Sequence, residues 1–261
     1  MKLAANLTLL YGHLPLAERF GAAVADGFMG AEVLLPYDES PDWYAAAVRD
    51  SGLVLALINT PVEEGVARGG LAAVPGWEQR FLSGFARAIE VALATGCPSI
   101  HVMAGYVEGH APEACHATLI GNLQHAVPLA ARHGITLSLE ALNRTDMPGY
   151  FYHRPEQALA IVRHFDSPHL RLQFNYFHCM REGLNLREEV ARAKGWVGHA
   201  QIAGVHGRHE PDLSQHELQA AVEQLEQGGY TGWLGCEYRP RTTPAEGLAW
   251  CEPLRDAGVL P

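Results

Sequence analysis

The chain has 261 residues, of which 48% are hydrophobic and 18% charged, and a formal net charge of −10 from 29 acidic against 19 basic residues. That length matches the roughly 250 residues of a (β/α)₈ barrel and supplies a core large enough to need no disulfides. The acidic balance argues against nucleic-acid and membrane-surface partners, which favour a basic face, and means that an anionic substrate would need local cations.

In chain order, short apolar runs alternate with longer helical patterns. Strand-like segments at Leu3–Leu7, Ala31–Leu35 and Leu53–Ile58 come first. The irregular stretch Asn59–Gly76 follows the third strand, and a loop of that length in a compact domain is expected to be functional. Amphipathic Trp77–Thr95 then leads to strand Ser99–Met103, and Pro112–His133 to strand Ile135–Glu140. A helix beginning near Pro155 precedes strand Leu170–Asn175, and one from Leu186 precedes Gly198–Ile202. One from Ser214 precedes Trp233–Tyr238, and a last begins near Pro244. Pro112, Pro155 and Pro244 suit first-turn positions, where the missing N–H goes unused. Gly96, Gly134 and Gly228 are placed as left-handed C-caps.

Eight strands separated by helices predict parallel pairing and a closed (β/α)₈ TIM barrel, with residues 1–261 as a single domain. An open doubly wound sheet would carry a Gly-rich phosphate turn after its first strand, and Asn6–Gly12 has none. The five cysteines show no CxxC or zinc-like spacing and read as free thiols of a reducing cytosol. The N-terminal segment lacks the apolar stretch and cleavage site of a signal peptide, and no run of about 18 apolar residues occurs. The expectation is a soluble, cytoplasmic protein.

In such a barrel the chemistry sits where strands end and βα loops begin. The polar residues there are Asn6, Asn59, His101, Glu140, Asn175, Gln201 and Glu237, with Glu32 on the second strand. A carboxylate closing an apolar strand is costly to bury unless it is paired or ligates a cation. Glu140 and Glu237 with the amide oxygens of Asn175 and Gln201 make an oxygen-rich set suited to Mg²⁺ or Mn²⁺ rather than zinc. The alternative is that each acid is simply salt-bridged at the rim. After the seventh strand, GVHGRHEP offers His206, Arg208, His209 and Glu210, and Arg208 can fork onto a substrate carboxylate. His178 lies just past the sixth strand, and His199 shares a strand face with Gln201. Asn59, His101, His178, Arg208 and Glu210 are therefore expected to bind substrate. His125, His133, His164 and His169 fall on helices or turns and read as surface residues.

The segments AANL, GAEVLLPYD, LEALN, DMPGY, GHAQIA and GCEYRP, in this order over nearly the whole chain, resemble the hydroxypyruvate isomerase family of xylose-isomerase-like barrels. That resemblance implies a metal site of Glu, Asp, Gln and Glu at the ends of strands five to eight, positions held here by Glu140, Asn175, Gln201 and Glu237. It also implies that the two glutamates are proton donor/acceptors and that Arg208 is the arginine of the loop after strand seven. Two departures stand out. Asn175 replaces the family's Asp, so the implied metal site loses a negative charge. Asp212-Leu213-Ser214-Gln215 replaces a glycine-rich stretch near the mouth, which bears on substrate preference.

The resemblance implies metal-assisted aldose–ketose isomerisation of a small hydroxy-oxo acid, hydroxypyruvate to tartronate semialdehyde, with proton transfer through an enediolate. Isomerisation of a 2-oxo-tetronate, or ketose epimerisation on the same site, is the alternative. An inactive small-molecule binding protein is the alternative of a different class. Trp43 and Tyr44 are candidates for a homo-oligomer interface, or else for packing on the barrel.

Overall fold

The computed structural model describes residues 1–62, 69–214 and 216–261. Eight parallel strands close in sequence order: β1 (Lys2–Asn6), β2 (Gly30–Val33), β3 (Val54–Asn59), β4 (Ser99–His101), β5 (Thr136–Glu140), β6 (Leu170–Asn175), β7 (Val197–Ile202) and β8 (Trp233–Cys236). The outer ring is built from α1 (Leu16–Ala25), α2 (Pro41–Ser51), α3 (Glu78–Thr95), α4 (Pro112–Arg132), α5 (Pro155–Phe165), a six-residue α6 (Tyr176–Arg181), α7 (Leu186–Ala193) and α8 (His216–Gln227). Short helices α9 (Pro244–Gly247) and α10 (Glu252–Asp256) end the chain. The fold is the expected TIM barrel, and among the described residues no helix is long and apolar enough to cross a membrane.

Periodicity explains most of the boundaries. In α3 the buried residues Phe81, Phe85, Ala88, Ile89 and Ala92 recur at helical spacing and face the strands. Pro112, Pro155 and Pro244 do occupy first-turn positions. Gly96 and Gly134 are left-handed at helix ends, whereas after α8 that role falls to Gly229 (φ 96°) rather than Gly228. Helix α8 begins at His216 instead of Ser214, whose N–H and hydroxyl both bond the Asp212 carboxylate. Local side-chain bonding of this kind competes with helix formation. Trp43 stands edge-on to Phe20 of α1 and to Tyr44 at centroid distances of 6.3 and 5.1 Å, and Tyr44 is buried in the core.

The described end of the long stretch after β3 packs against the segment that follows β4. Residues 63–68 lie outside the described residues, but Leu71–Val74 are buried, and Ala72 and Ala73 donate to the carbonyls of Met103 and Ala104. Gly70 makes this contact possible. Its φ is 92°, and a Cβ there would lie 2.2 Å from Met103 Cβ.

The barrel interior carries polar residues in two layers. Strand period two puts Ser138 below Glu140, Gln173 below Asn175 and His199 below Gln201. Neighbouring strands bring Glu140 opposite Gln173, and Asn175 opposite Gln201. A register shift between Leu172 and Gln173 aligns Gln173 with His199. On β8 the lower position is Gly235, and the space its missing side chain leaves is filled by Glu32 of β2, whose Oε1 would lie 1.9 Å from an added Cβ.

Candidate active site

Glu140, Asn175, Gln201 and Glu237 do converge at the C-terminal mouth, all of them buried. Beneath them, fully buried Glu32 accepts from Asn6 Nδ2 and Gln201 Nε2, each at 2.9 Å, and meets His199 Nε2 at 2.5 Å. A buried carboxylate of this kind is tolerable only with such a full set of partners. Gln201 thereby presents its oxygen upward. That oxygen accepts from Gln173 Nε2 at 2.7 Å, and the same nitrogen lies 3.0 Å from Glu140 Oε2. Ser138 Oγ donates to Gln173 Oε1 and fixes which end of that amide faces Glu140.

Asn175 has two jobs. Its Oδ1 accepts from Phe177 N–H at 3.0 Å and caps α6, while its Nδ2 lies 2.8 Å from Glu140 Oε1 and 2.8 Å from Glu237 Oε2. Phe177 N–H can only donate, so the atom facing it is the amide oxygen and the atom between the glutamates is the nitrogen. The oxygen expected to face a cation is turned away. His178 sits three residues past the cap, which swings it back over the site. Its Nδ1 accepts from Asn143 N–H at 3.0 Å, so the neutral ring carries its proton on Nε2, 3.8 Å from Glu140 Oε1.

Arg208 follows β7 in a left-handed conformation, φ 52°, rare for a residue with a side chain. Its guanidinium lies 4.7 Å from the Phe177 ring centroid, and Nη2 reaches Glu237 Oε2 at 2.5 Å while Nε donates to the Glu237 carbonyl. The fork expected for a substrate carboxylate is directed at Glu237. Glu210 points elsewhere, accepting from Arg241 N–H at 2.9 Å, and His209 pairs with the Arg239 carbonyl. Asn59 and His101 are register partners, and Asn59 Oδ1 and both His101 ring nitrogens are buried without a hydrogen-bond partner. His101 Nδ1 lies 3.5 Å from Glu140 Oε2. Of the presumed surface histidines, His125, His133 and His164 are exposed and His169 bonds the Ile135 carbonyl.

The electrostatics divide the two acids. Burial and the nearby Glu237 charge raise Glu140 well above the usual carboxylate range. Burial also raises Glu237, but the Arg208 guanidinium opposes it. Burial lowers His178 far below its ordinary value, with Arg208 adding repulsion, and pushes His101 down to about 3. Both rings are therefore neutral near pH 7.

Whether this set suits a divalent ion is a question of donor chemistry. Glu140, His178 and Glu237 bring ligand-type atoms within 4.8 Å of one another, the one such group among the described residues. A hard cation also needs lone pairs converging on one point. Here the inward atoms of Asn175 and His178 carry protons, and Gln173 Nε2 already engages oxygens of Glu140 and Gln201. The arrangement as folded does not fit an oxygen cage. Gln173, Ser138 and Asn143 were missed from sequence, although the first two lie two residues before Asn175 and Glu140 and strand alternation alone identifies them.

Comparison with known proteins agrees with this architecture. The chain is 39% identical over 254 residues to the 2-oxo-tetronate isomerase of Cupriavidus necator, covering 97% of this chain and 98% of that one. It is 32% identical over 257 residues to the hydroxypyruvate isomerase of Escherichia coli, covering 98% and 100%. A crystal structure of an AP endonuclease, family 2, from Brucella melitensis superposes with a TM-score of 0.89 at 36% identity, covering 97% and 99%. A family model described as xylose isomerase-like TIM barrel matches residues 20–254. With the closed eight-stranded barrel and matches of this extent, the chain belongs to the xylose isomerase-like TIM barrel family.

Proposed function

We propose that this chain, acting as one barrel domain in the cytoplasm, isomerises a small hydroxy-oxo acid, hydroxypyruvate to tartronate semialdehyde or the corresponding 2-oxo-tetronate. The observation that carries the reading is the buried pair Glu140 and Glu237, joined through one amide nitrogen, with a guanidinium on only one of them. Environments that separate two carboxyl groups in this way make one an acid and the other a base. Names of relatives that isomerise this substrate class support the same reading.

Glu237, whose carboxylate form the Arg208 guanidinium favours against burial, takes the proton from the hydroxyl-bearing carbon. Glu140, kept protonated by burial, gives its proton to the carbonyl oxygen as the enediol forms. The return step delivers the carbon-bound proton to the former carbonyl carbon, and the other hydroxyl gives up its proton as the new carbonyl forms. Atoms and charge balance with no oxidant. Asn175 Nδ2 fixes both acids, and the His178 Nε2–H with unpartnered His101 and Asn59 receives the substrate's oxygens. Mg²⁺ or Mn²⁺ is the ion expected from the sequence, and the donors facing the site, with protons on Asn175 Nδ2 and His178 Nε2, do not fit it.

Glu237→Gln should lower kcat on hydroxypyruvate by about 10³-fold, with an unchanged circular dichroism spectrum. Unchanged turnover would reject the assignment. A panel of hydroxypyruvate, 2-oxo-tetronates and ketoses followed in D₂O names the substrate, and solvent deuterium at the product carbon distinguishes proton transfer from a hydride shift. Binding without turnover of any of these would identify an inactive binding protein.

A further inference from the structure

We infer that the Asn175 amide takes the place of a divalent ion in this barrel: its Nδ2 group bridges Glu140 and Glu237, and the site works without bound metal. Three observations meet at this residue. Its oxygen is committed to the Phe177 N–H in the first turn of α6, an assignment that a donor-only partner leaves no room to reverse. Its nitrogen sits 2.8 Å from one oxygen of each glutamate and 3.3 Å from Gln201 Oε1, thereby touching all three oxygen-bearing side chains that a cation would use. The neighbouring donors are arranged in the same sense, with Gln173 Nε2 on Glu140 and Gln201, and Arg208 on Glu237.

An amide and a divalent ion answer the same need by different means. Two buried carboxyl groups this close need positive potential between them if either is to ionise. An N–H₂ group supplies two partial charges at fixed directions, and Arg208 supplies the full charge. To bind a metal, Asn175 would have to rotate, leaving Phe177 N–H facing another N–H in a buried position. An aspartate at this position would keep one oxygen on Phe177 N–H and offer the other inward as a third negative ligand. On this geometry the choice between metal and no metal turns on one atom of residue 175.

The inference rests on the isomerase reading for its kinetic arm alone, so metal binding is measured directly. Wild type and Asn175→Asp, dialysed against EDTA, are titrated with Mn²⁺ and free ion is followed by electron paramagnetic resonance. Wild type should show no site tighter than about 1 mM, and Asn175→Asp should bind one Mn²⁺ at least about a hundredfold more tightly. Mn²⁺ should raise the Tm of Asn175→Asp and leave that of wild type unchanged. Wild-type turnover of hydroxypyruvate should survive EDTA. One Mn²⁺ per wild-type chain with a Kd below about 10 μM overturns the inference, whether or not the variant folds. An absence of turnover in wild type together with an absence of Mn²⁺ binding removes the isomerase reading and leaves the amide bridge standing.

Discussion

His101→Gln probes the electrostatic state of the mouth through stability rather than rate. Burial holds the His101 imidazole at about 3, against 6.5 for an exposed ring, with repulsion from His199 adding to the effect. The folded value lies below the unfolded one, so the unfolded chain takes up this proton first as pH falls. Stability is therefore unaffected above pH 6.5 and declines between 6.5 and about 3. At pH 4 roughly 2.5 units of that interval have been crossed, each about 1.36 kcal/mol, which predicts a loss of about 3 kcal/mol from this residue. Urea unfolding of wild type and His101→Gln at pH 7 and pH 4 isolates it, because the other groups titrate alike in both proteins. Wild type should lose about 3 kcal/mol more than the variant over this range. Parallel losses in the two proteins would show that the ring is protonated when folded or hydrated, and the placement of a neutral, unpartnered imidazole beside Glu140 would be wrong.

Two further substitutions address the supports of the acids. Gly235→Ala drives a methyl group onto Glu32 Oε1 and should break the bonds from Asn6, His199 and Gln201; a buried charge stripped of partners costs roughly 3–5 kcal/mol, so Tm should fall by about 10 °C. Gly21→Ala, where an added methyl meets nothing within 4 Å, is the matched control, and equal effects of the two would refute the steric account. Arg208→Lys loses the fork onto Glu237 and should lower kcat/KM by about 10- to 100-fold. Because Arg208 opposes the upward push of burial on Glu237, loss of its hydrogen bond should move the acid limb of the pH profile further upward; an unmoved limb would separate Glu237 from that limb.

Much of this was legible in residue types and spacing. Strand ends at Glu140 and Asn175 follow from apolar runs that stop at a polar residue, and the structure places both there, with Gln201 one residue before the end of β7. What the pattern does not carry is direction within a side chain. Asn175 was expected as an oxygen ligand, and only the Phe177 N–H determines that its nitrogen faces inward. Glu210 and Arg208 share one loop in the sequence, but their partners in the structure, Arg241 and Glu237, come from the segment beyond β8, a pairing that spacing cannot reveal. The six-residue α6 was too short to show a periodicity, although it is the element that aims His178.

Glu32 has a consequence for how the barrel can be divided. Both acids, Asn175, Gln201, His178 and Arg208 all lie in the second half of the chain, from β5 onward. Yet Gln201 and His199 of that half are oriented by a carboxylate from β2, reaching across the lumen and held in turn by Asn6 of β1. Half-barrel fragments would therefore separate the reacting groups from the residue that aligns them. The last four strands would carry the chemistry without its foundation, and the first four an acid with no remaining purpose. Duplication, exchange or circular rearrangement of halves in this lineage must keep β1 and β2 facing β7 for the mouth to stay assembled.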